Sequence, residues 1–128
     1  MSKILFVEDH EDTRELMVFV LKELNYEVVT AASVSGALAA AAAEKFDLYV
    51  VDNLLIDGTG IELCQALRRT EKITPILFYS AQAYEQDKQE AFNSGAQSYL
   101  VKPVSLPLFC ETIDRLINAP AEVTQVAQ

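Results

Sequence analysis

The sequence predicts an α/β protein built on a parallel sheet with helices on both faces. Five short apolar runs alternate with five stretches of helical periodicity, and the connections between them are short. The third run, Leu48–Val51, shows no polar alternation, which is typical of a strand buried on both sides. Buried strands joined by helices favour right-handed parallel crossovers, which place the carboxyl ends of all the strands at one edge of the sheet.

Each predicted strand is a run of apolar residues bounded by polar or turn residues. The first run ends on acids, the third ends on Asp52, and the fourth begins at Pro75, where a strand tolerates proline. The predicted strands are, in order, residues 4–7, 27–30, 48–51, 75–79 and 98–101.

Each predicted helix carries an apolar stripe that faces the sheet. The stripe of the first helix consists of Leu16, Met17, Val20, Leu21 and Leu24, and that of the third consists of Ile61, Cys64 and Leu67. The second helix, Ser33–Glu44, is rich in Ala, which favours helix formation. The fourth, Tyr84–Ser94, buries Tyr84 in a thin stripe, so we expect it to be loosely held. The fifth runs from about Ser105 to Ile117.

Composition narrows the possible functions. A net charge of −9 on 128 residues disfavours a nucleic-acid surface and an anionic membrane surface, since both need clustered Lys and Arg. No apolar stretch reaches roughly 18 residues, the length of a membrane helix. The chain enters its first strand with no signal peptide, and Cys64 and Cys110 are interpreted as two reduced core thiols, which favours a cytoplasmic protein.

Reactive side chains follow four of the predicted strands. Glu8 and Asp9 follow the first strand, Asp52 the third, Ser80 the fourth and Lys102 the fifth. Neighbouring strands lie about 4.8 Å apart, so these groups are expected to meet at one edge of the sheet. Three carboxylates repel one another unless a cation lies among them, and oxygen ligands suit Mg²⁺ rather than zinc.

With Mg²⁺ and Lys102 in place, such a site can hold a phosphoryl group. Asp52 is the candidate nucleophile, because a carboxylate can form an aspartyl phosphate. The metal would neutralise charge on the transferred oxygens, and Lys102 would act as a point charge against one of them. The Ser80 hydroxyl could donate a hydrogen bond to another oxygen.

Residues 3–118 resemble the receiver domain of two-component response regulators. The resemblance rests on residues at the carboxyl ends of the strands, namely Glu8-Asp9, Asp52, Ser80-Ala81 and Lys102-Pro103. It implies a flavodoxin-like, doubly wound (βα)5 fold whose five-stranded parallel sheet has the order 2-1-3-4-5. We therefore expect a receiver domain over residues 1–118, followed by a flexible tail over residues 119–128.

The resemblance implies that Asp52 takes a phosphoryl group from a phosphohistidine on a histidine kinase or a histidine phosphotransfer protein. Implied ligands of Mg²⁺ (or Mn²⁺) are Glu8, Asp9, Asp52 and the backbone carbonyl of Leu54. The implied phosphoryl-binding residues are Ser80, Ala81 and Lys102. Ser80 and Tyr99 would then switch the face formed by the fourth helix, fifth strand and fifth helix, which would bind a downstream protein that the sequence does not identify.

The predicted protein is a stand-alone receiver, similar to a chemotaxis regulator, because only about ten residues follow the last helix. It would signal by protein contact, pass phosphate along a phosphorelay or be a fragment of a longer regulator, and it would not be an enzyme that turns over an external substrate. His10 is interpreted as an exposed loop residue rather than as a metal ligand.

One departure from the family pattern concerns the loop after Asp52. The family often has proline where Ile56 stands, so a more mobile loop is expected. Leu54 would lie beside the phosphoryl group and Gln82 near the path of an attacking water. Both are predicted to set the lifetime of the phosphorylated state.

Three alternatives stay open. A phosphatase-like hydrolase acting through an aspartyl phosphate usually has a second acid two residues after the first, where Leu54 stands. A flavin- or nucleotide-binding protein of similar fold would have a Gly-rich or hydroxyl-rich loop after the first strand, where this chain has acids. A degenerate receiver would act only as a protein-interaction scaffold.

Overall fold

The computed structural model describes residues 1–118 and 126–127. The helices are α1 (Glu11–Glu23), α2 (Val34–Ala43), α3 (Gly60–Thr70), α4 (Glu85–Ser94) and α5 (Leu106–Asn118). The strands are β1 (Lys3–Val7), β2 (Glu27–Ala31), β3 (Leu48–Val51), β4 (Leu54–Leu55), β5 (Gly58–Thr59), β6 (Ile76–Ser80), β7 (Ser98–Val101) and β8 (Val126–Ala127). The predicted alternation of strands and helices is confirmed.

The main sheet is parallel, with the order β2-β1-β3-β6-β7-β8. Its first five strands reproduce the predicted order 2-1-3-4-5, since β6 and β7 are the fourth and fifth of the predicted strands. The edge strand β8 was not predicted, because two residues give too short a pattern. The remainder of the predicted flexible tail over 119–128 lies outside the described residues.

Helices cover both faces of the sheet, and successive strand residues alternate between two cores. On one face, Tyr49 and Val51 of β3 belong to a cluster with residues of α2, α3 and α4. On the other face, Leu48 and Val50 belong to a cluster with residues of α1 and α5. No helix in the described part of the chain is long and apolar enough to span a bilayer.

The predicted buried stripes of α1 and α4 were too wide. In α1, Met17 and Leu21 are buried, but Leu16 and Leu24 are 59% and 44% exposed. Tyr84 is 82% exposed and precedes α4 as its N-cap residue. The prediction was wrong at these positions because each helix contacts the sheet along a narrow line, and apolar residues beside that line stay in solvent. Ala91 alone is fully buried among the residues of α4.

Helix α3 begins unusually close to the end of β3, and Gly60 permits this approach. A Cβ atom at Gly60 would lie 2.6 Å from the backbone oxygen of Asp52 and 2.9 Å from Cε2 of Phe78. The Gly60 N–H donates to the Asn53 carbonyl at 2.9 Å, so the backbone there is held in place. A larger residue would push the start of α3 away from Asp52.

We expect the substitution Gly60→Ala to lower the free energy of unfolding by about 1–3 kcal/mol, the usual cost of overpacking. Urea unfolding of the variant and the wild type measures the difference. The control is Gly36→Ala within α2, where the nearest atom is the Ser33 hydroxyl oxygen at 3.1 Å. That change should stay within about 1 kcal/mol. Equal stability of Gly60→Ala and the wild type would show that α3 can move without cost.

Candidate functional site

The carboxyl edge of the sheet brings together the residues that the sequence analysis singled out. Three backbone hydrogen bonds extend the strand ladders past the ends of the strands. Asp52 N–H donates to Val7 at 3.1 Å, Lys102 N–H to Ser80 at 2.9 Å, and Glu8 N–H to the carbonyl of Ala31 at 3.0 Å. The acids and the lysine are therefore positioned by the sheet itself rather than by mobile loops.

Lys102 lies between two buried carboxylates. Its Nζ atom is 2.6 Å from Oε1 of Glu8 and 3.0 Å from Oδ2 of Asp52. Glu8 and Asp52 are only 1% and 8% exposed, so each needs a charged partner in this environment. The same Nζ lies 5.1 Å from the centre of the Tyr79 ring. One ammonium group thus bridges the carboxyl ends of β1 and β3.

Burial by itself would lower the pKa of Lys102, but hydrogen bonds to Glu8 and then to Asp52 outweigh it. The pKa of Lys102 therefore lies above its ordinary value of 10.5. The side chain stays protonated at neutral pH. A fixed positive charge next to Asp52 can balance a negatively charged group that binds or forms there.

The acids after β1 form a second group of possible ligands. Nδ1 of His10 lies 3.3 Å from Oε2 of Glu8 and 3.3 Å from Oδ1 of Asp9, and the ligand atoms of the three residues all lie within 4.8 Å of one another. The His10 side chain is exposed, as predicted. Adjacent carboxylates suit a hard divalent cation, so this donor set fits the metal that the sequence analysis expects.

Asp52 and Leu54 complete the predicted metal-binding set. Asp52 follows β3, which is the neighbour of β1 in the sheet, but its Oδ2 atom is directed toward Lys102. Leu54 lies in β4, and only its backbone carbonyl can serve as a metal ligand because its side chain is a hydrocarbon.

Ser80, Gln82 and Tyr99 form a connected hydrogen-bonded group beside Asp52. Ser80 is buried at the end of β6, and its Oγ accepts a hydrogen bond from Gln82 N–H at 3.2 Å. The Tyr99 hydroxyl donates to the Gln82 carbonyl at 2.7 Å. The Tyr99 ring is buried and stacks on Phe78, with ring centres 5.7 Å apart. Burial raises the pKa of Tyr99, so its phenol remains a hydrogen-bond donor at neutral pH.

The loop after Asp52 is anchored on both sides of the exposed Ile56. Residues of β4 and β5 pair in a short antiparallel hairpin. Asp57, at its turn, accepts hydrogen bonds from Val34 N–H at 2.7 Å and Ser35 N–H at 3.0 Å, at the start of α2. These bonds hold the pKa of Asp57 below its ordinary value of 3.8. The missing proline by itself predicts a mobile loop, but these hydrogen bonds oppose such motion.

Sequence reasoning also missed Asn53. Its side-chain Nδ2 donates to Oε1 of Gln82, and its Oδ1 accepts from Ile61 N–H at 3.2 Å. The signal in the sequence was an amide residue directly after the acid that ends β3. That signal is weak, because Asn is common in loops for reasons of backbone conformation alone.

Comparisons with known proteins agree in both sequence and structure. The family model described as the response regulator receiver domain matches residues 4–114. The alkaline phosphatase synthesis transcriptional regulatory protein PhoP of Bacillus subtilis is 40% identical over 104 residues, which cover 81% of this chain and 43% of that protein. The response regulator protein PilR of Pseudomonas aeruginosa is 33% identical, covering 98% of this chain and 29% of that protein. The chain thus spans less than half the length of these relatives.

Solved structures show the same fold. The chemotaxis response regulator CheY4 of Vibrio cholerae is 35% identical with a TM-score of 0.86, and the match covers 91% of this chain and 98% of that one. The response regulator protein TrrA of Thermotoga maritima, solved in complex with Mg(2+)-BeF, is 27% identical with a TM-score of 0.83. That match covers 91% of this chain and 99% of that one.

The ion pairs of Lys102 can be tested by stability. Lys102→Met should lower the free energy of unfolding at pH 7 by about 3 kcal/mol, because it leaves the carboxylates of Glu8 and Asp52 buried without their partner. The double variant Glu8→Gln/Lys102→Met should recover the part of the loss that comes from Glu8. Because the pKa of Lys102 is raised, its contribution is complete below pH 10.5 and is lost as the pH rises through the folded-state value.

Urea unfolding at pH 7 and above pH 10.5 measures these quantities, and the gap between wild type and Lys102→Met should narrow at the higher pH. A double variant no more stable than Lys102→Met would contradict the assignment of the loss to Glu8.

Proposed function

The chain belongs to the response regulator receiver domain family, and on that basis we propose that Asp52 accepts a phosphoryl group from a phosphohistidine. Receiver domains are signalling modules of two-component systems rather than classical enzymes, and phosphorylation is general to the family. The observation that carries the proposal is the position of Asp52, at the end of β3 with Lys102 Nζ 3.0 Å from its carboxylate. We further propose that residues 1–118 make up the receiver domain.

In the proposed reaction, a carboxylate oxygen of Asp52 forms a bond to phosphorus, and the bond from phosphorus to the donor's imidazole nitrogen breaks. The electron pair of that bond leaves with the imidazole, whose other nitrogen carries a proton, so the donor departs as a neutral imidazole. Lys102, now held by Glu8 and Asp52, can turn its ammonium toward a phosphoryl oxygen without becoming exposed to solvent. Ser80 can donate its hydroxyl hydrogen to a second oxygen, because its Oγ uses only a lone pair to accept from Gln82 N–H.

Family membership implies Mg²⁺ at this site, and the donor set fits it. Glu8, Asp9, Asp52 and the carbonyl of Leu54 are the groups proposed to hold the ion. When bound, Mg²⁺ supplies positive charge against the phosphoryl oxygens. The backbone N–H of Ala81, which follows Ser80, is proposed as a further phosphoryl contact.

The proposed output is a change in the face formed by α4, β7 and α5. The Tyr99 hydroxyl contacts the loop that connects β6 to α4, so a movement of Ser80 and Gln82 would reach α4 directly. Helix α4 buries little apolar surface, which leaves it free to shift. A histidine kinase or a histidine phosphotransfer protein is the proposed donor, and a downstream protein is the proposed receiver of the signal.

Phosphorylation can be tested by intact-mass measurement. Incubation with Mg²⁺ and a small-molecule phosphodonor should add one acid-stable, base-labile phosphoryl group, and the adduct should be absent in Asp52→Asn. Asp57→Asn is the matched control, because Asp57 bonds the start of α2 rather than the site and should leave the adduct in place. No adduct on the wild type would favour a scaffold, and continuous release of phosphate from many donors would favour a hydrolase.

The lifetime of the phosphorylated state can be tested at Leu54 and Gln82. Leu54→Asn would place an amide that can orient water beside the phosphoryl group, and Gln82→Ala would remove a side chain from the path of water. Each should speed dephosphorylation by roughly threefold to tenfold, the effect of about one hydrogen bond. Decay of the phosphorylated mass with time measures the rates. Rates unchanged from the wild type would remove both residues from this role.

A further inference from the structure

Asn53 has an amide group whose orientation is fixed by chemistry. Ile61 N–H, at the start of α3, can only donate, so the atom of Asn53 that it meets at 3.2 Å must be the oxygen Oδ1. The nitrogen Nδ2 then faces the other way, toward Gln82, whose side chain presents its oxygen Oε1. Asn53 is half-buried, and both ends of its amide have partners.

The partner of Asn53 is itself held at its backbone. Gln82 N–H donates to the hydroxyl of Ser80 at 3.2 Å, and the Gln82 carbonyl accepts from the hydroxyl of Tyr99 at 2.7 Å. The bond between Asn53 and Gln82 therefore connects two residues that are each held by further hydrogen bonds. We call this contact the amide bridge.

The amide bridge joins two loops on the β6 side of Asp52. Asn53 belongs to the loop after β3, and Gln82 to the loop after β6, which is the neighbour of β3 in the sheet. On the other side of β3 lies β1, whose Glu8 is joined to Asp52 through Lys102. Asp52 thus has an ion pair on the β1 side of its strand and the amide bridge on the β6 side.

We infer that Asn53 is a positioning residue that closes the β6 side of the site through Gln82 and thereby slows hydrolysis of phosphorylated Asp52. In that hydrolysis, a water oxygen forms a bond to phosphorus and the bond from phosphorus to the Asp52 oxygen breaks. Its electron pair returns to the carboxylate, and the water's proton passes to the phosphate released or to solvent. The step needs a water in line with the breaking bond, and two loops tied together leave less room for it.

This inference rests on the proposed function, and a double-mutant cycle tests it. Asn53→Ala and Gln82→Ala each break the amide bridge, so each should speed dephosphorylation by a similar factor of roughly three or more. The double variant should be no faster than the faster single variant, because the second change has nothing left to break. Accelerations that multiply in the double variant, or an unchanged rate in Asn53→Ala, would overturn the inference.

A second variant separates the amide bridge from a general loss of structure. Gln82→Met keeps a side chain of similar length but loses the acceptor for Asn53 Nδ2, so it should be as fast as Asn53→Ala while Ile61 N–H keeps its contact with Asn53. A Gln82→Met variant with the wild-type rate would show that the effect comes through α3, and would also overturn the inference. The matched control is Gln65→Ala, which removes an exposed amide on α3, a helix outside the proposed output face, and should leave the rate unchanged.

Intact-mass measurement distinguishes the two levels of failure. If the wild type forms no phosphoryl adduct at Asp52, the proposed function fails and the inference falls with it. If the adduct forms on every variant but the rates do not depend on the amide bridge, only the role of Asn53 fails.

Discussion

The ammonium group of Lys102, held between two buried carboxylates, is the interaction on which the rest of the site depends. Burying Glu8 and Asp52 without a cation would be costly, and Lys102 removes most of that cost at distances of 2.6 and 3.0 Å. It does not remove all of the charge. Three carboxylates at this edge, counting Asp9, outnumber the ammonium of Lys102 and the guanidinium of Arg14, which donates to the Glu8 carbonyl at 2.8 Å. The remaining charge is negative, so the fold carries an electrostatic demand that a cation would meet.

Much of the fold could be predicted, and so could the grouping of the acids at one edge of the sheet, because both follow from the path of the backbone. Strands without polar alternation are buried on both faces, and the helices between parallel strands form right-handed crossovers. Once the sheet is parallel, residues that follow different strands must meet at one edge. Asp52, Glu8 and Lys102 could therefore be grouped although they are far apart in the sequence. None of this required knowledge of a side-chain conformation.

The parts that could not be predicted depend on side-chain direction and on contacts between loops. Adjacent residues of α1 lie on different sides of the helix. Met17 is buried, whereas Leu16, which the apolar pattern placed in the core, lies in solvent. Asp57 stands before Gly58 in a loop sequence that is typical of a turn, and nothing in the sequence indicates that it would reach α2. The amide pair of Asn53 and Gln82 joins loops 29 residues apart. Such contacts follow from loop geometry, which a pattern of apolar residues does not describe.

The inward position of Tyr99 bears on how strongly the protein signals at rest. Its ring is already stacked on Phe78, and its hydroxyl already contacts the Gln82 carbonyl, with Asp52 unmodified. In the proposed switch, Tyr99 therefore needs no rearrangement. The free-energy difference between the resting and the signalling populations depends on Ser80 and the loop before α4. A smaller gap means a larger fraction of signalling molecules before any phosphoryl group arrives. The basal output of such a module would be set by how firmly Ser80 and the loop before α4 are held in the resting state.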